Sequence, residues 1–251
     1  RDCLLSRGLG DVYKRQIPDT AKDADGAYYA DYTGIMSVGW NADKYGDISS
    51  LDDLLDPKFA GTVALNGKPA EAGAAFNGYL MANQLAGGDI NNLQPGLDYF
   101  KKLKEAGNLT TVDVTNGTID SGQTGVVFDW TYNQASYKKE LKDKGVNWKY
   151  KTFPKAQVVS YYNQAINKDA PHPAAARLWE EYLYTAGAQN LWFKGGANPV
   201  LLDSMKEDGT VDQATLKDAI TIEGEPVSYT NDDSTRITEW LQNNWDKTIG
   251  N

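Results

Sequence analysis

Thiols and imidazoles are nearly missing from this 251-residue chain, which holds one cysteine, Cys3, and one histidine, His172. A zinc site built from the usual Cys and His ligands, a disulfide framework and a Cys-based nucleophile are all excluded by that shortage. His172 lies between Pro171 and Pro173 at the start of a helix, where it caps the helix or sits in solvent. A Ser–His–carboxylate triad would have to be built on that one side chain. Long apolar runs are absent too: no stretch approaches the roughly 20 residues that a membrane span requires. Neither a G-x-x-x-x-G-K-[ST] nor a strand-borne G-x-G-x-x-G occurs, so no phosphate loop is legible. Clustered positive charge is also lacking. The 25 Lys and Arg are scattered among 34 Asp and Glu, for a net charge of −9, which excludes nucleic acid as a partner. An acidic surface of this kind keeps a protein dispersed in water; it is also compatible with a cationic ligand.

Residues 1–16 differ from the rest. They carry Arg1, Arg7, Lys14 and Arg15 against Asp2 and Asp11, and Cys3-Leu4-Leu5 is far too short for the apolar core of an export signal. The segment resembles translated sequencing-adapter read-through and is expected to be non-native. On that reading the native sequence starts near Ile17, its N-terminal part is missing, and any export signal or lipid-anchoring cysteine lay in the missing part.

From Asp25 onward, short β-rich runs alternate with helical stretches, the pattern of an α/β protein. Strands are expected over 34–41, 62–65, 110–114, 125–128, 149–153 and 158–167. Gly125-Val-Val-Phe128 is a short apolar run bounded by Gly and Asp, which suits the middle of a parallel sheet. A short capped helix is expected over Ser49–Leu55, ended by Asp56-Pro57. A longer helix is expected from Glu71 to Ala86, with Phe76, Tyr79 and Leu80 on its apolar face and Gly87-Gly88 as its stop. Further helices carry Leu93, Leu97, Phe100 and Leu103; Leu178, Trp179, Tyr182 and Leu183; Leu191 to Phe193; Leu216 to Ile220; and Ile237, Trp240, Leu241 and Trp245.

Three positions could carry chemistry. Asp129-Trp130-Thr131-Tyr132 lies past the carboxyl end of a strand, where open α/β sheets offer a ligand crevice. A carboxylate beside aromatic rings suits a cation; the same residues also read as two core aromatics and a helix cap. Tyr161 and Tyr162 lie in an alternating strand, so one is expected to face a crevice while the other packs. Phenolates are also hard ligands for a ferric ion. The helix start around Glu71 and Gly73 presents free N–H groups, which form an anion site. Adjacent carboxylates such as Glu180-Glu181 and Asp52-Asp53 diverge on a helix and do not form a catalytic pair.

Several segments together resemble the type II periplasmic-binding-protein family, in its iron, polyamine and phosphonate branch. Ser37 to Asn41 is similar to the family's crossover strand. Asp52 to Val63 is similar to its DLLDPKYKGKV block, Asn167 to Ala176 to its NKDAPHPEAA helix start, Gly187-Ala188-Gln189 to EGQ, and Gly195 to Val200 to its closing loop. The resemblance implies two α/β lobes that close on a solute like a hinged clamp. The far lobe is expected over 41–153. The near lobe, with the crossover strands, is expected over 17–40 and 154–251, and is incomplete.

The resemblance further implies a non-enzymatic receptor without cofactor or metal of its own. It would be a monomer, periplasmic or lipid-anchored at the cell surface, and would deliver its solute to the membrane permease of an ABC importer. The implied solute is small and charged: an amine or polyamine, a ferric ion or a phosphonate, with an amine or other small charged solute held by Asp129 and aromatic rings preferred. Carried over, the ligand candidates are Asp129, Trp130 and Tyr132, with Tyr161, Tyr162, Glu71 and Gly73. The adjacent tyrosines of iron receptors are not reproduced at Trp130 and Tyr132, and Tyr162 stands where polyamine receptors carry Asp. Two other readings remain: a hydrolase-type enzyme using Asp129 as base, and a sensory binding module.

Overall fold

The computed structural model describes residues 16–217, 219, 222 and 226–250. The adapter-like segment lies outside the described residues except for Gln16, as do parts of the helix expected over Leu216 to Ile220. The strands are β1 (Tyr29–Asn41), β2 (Val63–Leu65), β3 (Val126–Trp130), β4 (Trp148–Lys151), β5 (Val159–Gln164) and β6 (Asn198–Pro199). The main helices are α1 (Gly73–Leu85), α2 (Gln94–Glu105), α3 (Asn116–Asp120), α4 (Thr131–Glu140), α5 (Pro173–Leu183), α6 (Ala186–Lys194), α7 (Leu202–Glu207) and α8 (Asn231–Thr248).

The chain divides into two compact units. One comprises the described residues of Arg1–Gly34 and Ser160–Thr221; the other comprises those of Ile35–Val159 and Ile222–Asn251. The chain crosses between them three times: within β1, at the start of β5 and between residues 221 and 222. The C-terminal helix α8, expected in the near lobe with residues 154–251, packs instead in the unit that holds β2 and β3.

In that second unit the sheet order is β2-β3-β1-β4. β2 and β3 are parallel, with Val63 opposite Val126 and Leu65 opposite Phe128. β3 is antiparallel to β1, with Val38 opposite Phe128. The expected parallel sheet around 125–128 is therefore parallel on one side only. All five residues of β3 are buried, as an apolar run inside a covered sheet must be. Helix α1 is buried nearly all round, from Ala75 to Asn83, and packs on β3 and α2. Its Phe76, Tyr79 and Leu80 join Phe100, Phe128, Leu241 and Trp245 in one core. Gly39 on β1 is the closest backbone approach: a Cβ there would lie 2.0 Å from Gln134 Oε1 and 2.8 Å from Trp148 Nε1.

Two expected elements shrink. The strand expected over 110–114 reduces to one bridge between Val63 and Leu109, because Thr111, Val112 and Asp113 are exposed and gain nothing from pairing. The helix at Ser49–Leu55 reduces to a 3-10 turn, Asp52–Leu55, tied by Asp53 accepting from the backbone and hydroxyls of Ser49 and Ser50.

In the first unit β1 pairs with β5 and with β6, where Tyr32 stands opposite Pro199. A small core gathers Ile17, Ala30, Leu183, Tyr184, Phe193, Leu201 and Met205. Of the apolar stripe expected on α5 only Leu183 is buried; Leu178, Trp179 and Tyr182 are exposed. His172 is exposed at the N-cap of α5 without a side-chain capping bond.

Candidate functional site

β2 and β3 run parallel, so their carboxyl ends lie at one edge of the sheet, and the loop after each leads into a helix start. β2 is followed by Asn66-Gly67-Lys68-Pro69, a turn that needs glycine twice over. Gly67 has φ +100°, and a Cβ on it would sit 2.5 Å from the Cβ of Ala72. That tight loop delivers the chain to α1 with Ala72 as N-cap, and Ala72 has no side-chain oxygen to bond the first turn. Gly73, the first helical residue, is exposed, and nothing lies within 4 Å of the Cβ it lacks. The opening N–H groups of α1 therefore keep the partial positive charge of a helix start uncapped by a side chain. Glu71, expected within this helix, lies in the preceding turn and is exposed; its N–H bonds Lys68 O at 3.0 Å.

β3 ends in Asp129-Trp130 and passes directly into α4. Asp129 is fully buried. Its Oδ1 accepts from Trp130 N at 2.8 Å and Asn133 Nδ2 at 2.9 Å. Its Oδ2 accepts from Asn66 Nδ2 at 2.8 Å and Tyr137 Oη at 2.9 Å. Burial pushes this carboxyl above the usual carboxylate range, against the pull of the four donors. Burial, with Asp129 alongside, likewise raises the Tyr137 phenol. The sequence suggested Asp129 as the anchor for a solute; here both its oxygens are already engaged within the unit. Trp130 is 3% exposed and belongs to the core, stacked at 6.3 Å on the half-buried Tyr132. The edge thus combines a satisfied carboxylate, two carboxamides, one partly open ring and a bare helix start. It has hydrogen-bond donors to offer and no nucleophile–base pair.

The other unit holds the two strand tyrosines. Tyr161 and Tyr162 on β5 are 37% and 41% exposed, so both are open to solvent, where one had been expected to pack. Tyr162 stacks on Tyr32 at 4.8 Å with an interplanar angle of 9°, and Tyr32 stacks on Trp192 at 4.5 Å. One face of Tyr162 is therefore backed by two further rings. Burial raises the Tyr161 phenol above its ordinary value, with Asp203 adding to it, which opposes the phenolate form that a ferric ion would use.

Sequence reasoning overlooked Asn66, Asn133, Tyr137, Tyr32 and Trp192. Asn133 and Tyr137 follow Asp129 by four and eight residues, a helical spacing that signals one shared face. Asn66, Tyr32 and Trp192 need strand pairing and tertiary packing to reach their places. Among the described residues no group of three or more His, Cys, Asp or Glu is placed to hold a metal, and no helix is long and apolar enough to cross a membrane.

The model of the bacterial extracellular solute-binding protein family matches residues 6–219. A comparison with curated proteins gives no match. Solved structures share the fold. AgtB from Agrobacterium tumefaciens R10, in complex with agropinic acid, aligns at 16% identity and TM-score 0.69, over 94% of this chain and 72% of its own. The apo ferric ion-binding protein A of Pasteurella haemolytica aligns at 19% and 0.66, over 94% and 74%. AfuA of Actinobacillus pleuropneumoniae, bound to fructose-6-phosphate, aligns at 18% and 0.62, again over 94% and 74%. The family match spans most of the chain and the solved structures repeat its α/β architecture: the chain belongs to the bacterial extracellular solute-binding proteins.

Proposed function

We propose that this chain is the receptor component of an ABC importer and that it captures a small anionic solute of the phosphonate class by lobe closure. A membrane permease would be its partner and no chemical step would follow binding. Of the amine, ferric and phosphonate classes implied by the sequence, the anion is favoured by one observation: α1 starts bare at the carboxyl edge of the sheet, while the nearby Asp129 is spent on four internal donors. A helix start attracts negative charge, and a carboxylate already saturated by donors has little left for an amine. Tyr132, in the same unit as α1, supplies a partly open ring face for the remainder of the solute. Two of the similar proteins were solved with an acid and a sugar phosphate bound, which agrees with this choice. Lobe closure is a population shift, so the solute has to bind the closed form more tightly than the open one.

The hydrolase reading loses its base, since Asp129 is buried and each of its oxygens already accepts two bonds. The test is a thermal-shift series with methylphosphonate, a sugar phosphate, spermidine and ferric citrate. A solute at about a hundred times its Kd adds about 2.7 kcal/mol. The anions should stabilise; stabilisation by spermidine or ferric citrate alone would overturn the assignment.

A further inference from the structure

Asp31 stands on β1 three residues before the chain leaves the first unit, and it is fully buried. Its Oδ1 accepts from Gln189 Nε2 at 2.8 Å and its Oδ2 from Gln164 Nε2 at 3.2 Å. The two amides are not equally held. Gln189 also donates to Leu183 O at 2.8 Å and accepts from Leu201 N at 3.3 Å, which locks it in place. Gln164 is the last residue of β5, and its bond to Asp31 is the longer. Trp192 Nε1 is buried near the carboxylate but makes no hydrogen bond in this structure, so it is a donor not yet engaged. The Trp192 ring is also the base of the stack that carries Tyr32 and Tyr162. One carboxylate thus stands next to the end of β5 and to the foot of the aromatic stack.

We propose that Asp31 is a proton-operated latch: ionised, it draws the Gln164 amide and the Trp192 indole N–H onto itself and fixes Tyr162; protonated from solvent on one oxygen, it releases them. No other bond is made or broken. Burial outweighs the donors and holds this carboxyl at about 6, so the latch works near neutrality. The ionisable groups that act on Asp31 are Tyr32 on β1 and Tyr184 at the cap of α5; Tyr162 acts on Tyr32 in turn, and Glu180 and Tyr29 act on Tyr184. β6 brings only Asn198 and Pro199. The Tyr32 and Tyr184 phenols are raised and stay protonated through this range. The latch is read without solute.

The test follows near-ultraviolet circular dichroism of the unliganded chain from pH 7.5 to 5. The wild type should show a transition with its midpoint at about 6. Asp31→Asn should abolish it, and Glu180→Gln should leave it in place. Gln164→Leu removes a donor that favours the ionised form and should move the midpoint to higher pH, which keeps the test decisive if Asp31→Asn does not fold. A flat wild-type signal, a transition that survives Asp31→Asn, or an unmoved midpoint in Gln164→Leu overturns the latch.

Discussion

Asn66 Nδ2 donates to Asp129 Oδ2 at 2.8 Å, which ties the end of β2 to the end of β3 across 63 residues of sequence. With Trp130 N, Asn133 and Tyr137 also donating to Asp129, this carboxylate is the knot that fixes the edge from which α1 and α4 spring. Asp129→Ala strands four donors, of which the Trp130 N–H is wholly buried. The expected cost is on the order of 3 kcal/mol or more of unfolding free energy, read by urea denaturation of the unliganded chain. An unchanged midpoint would return Asp129 to the list of solute contacts.

Asp31 and Asp129 both have raised carboxyls, so each contributes most to stability when protonated, and that contribution is lost as pH rises through its folded value. Asp53 is held down to about 2 by hydrogen bonds from Ser49 and Ser50, and Asp212 and Asp233 likewise by hydrogen bonds and by Lys194 and Arg236, so what they contribute is lost only as pH falls from 3.8 toward 2. Stability should therefore fall as pH rises from about 5 to 7. Asp31→Asn removes this titrating carboxyl and should flatten that part of the slope. Denaturation at pH 5 and pH 7 for both proteins reads the difference.

Gly39→Ala drives a methyl into the Gln134 carboxamide, which donates to Val127 O at 3.0 Å and accepts from Trp148 Nε1 at 2.8 Å. Backbone or the buried indole must move to admit it. A loss of about 2–3 kcal/mol is expected, with the far-ultraviolet spectrum retained. A neutral substitution would mean that the Gln134 amide can swing aside.

Much of the fold is written in local pattern. Val126-Val127-Phe128 reads as a covered strand and is one, and the run ending at Gly87-Gly88 reads as the helix α1, which begins two residues later than expected. The strand expected at 110–114 failed because alternation alone does not supply a partner. The candidate site was less legible. Chain position marked Asp129 correctly as a strand-end carboxylate, but its satisfaction by Asn66 depends on the register of β2 against β3. The Trp192–Tyr32–Tyr162 stack joins three distant segments that carry no shared local signal.

Gly73→Pro tests most directly whether an anionic solute is held at the bare start of α1. Proline fits the first helical position, and Ala72 before it is extended, with φ −120° and ψ 128°, as a residue preceding proline should be. The substitution deletes one N–H and should leave the unliganded melt unchanged, or raise stability by about 0.4–1 kcal/mol. Titration calorimetry with methylphosphonate should then show at least a tenfold weaker Kd than for the wild type. Equal affinity in the two proteins would contradict the account, as would a wild-type chain that binds spermidine and ignores the anion.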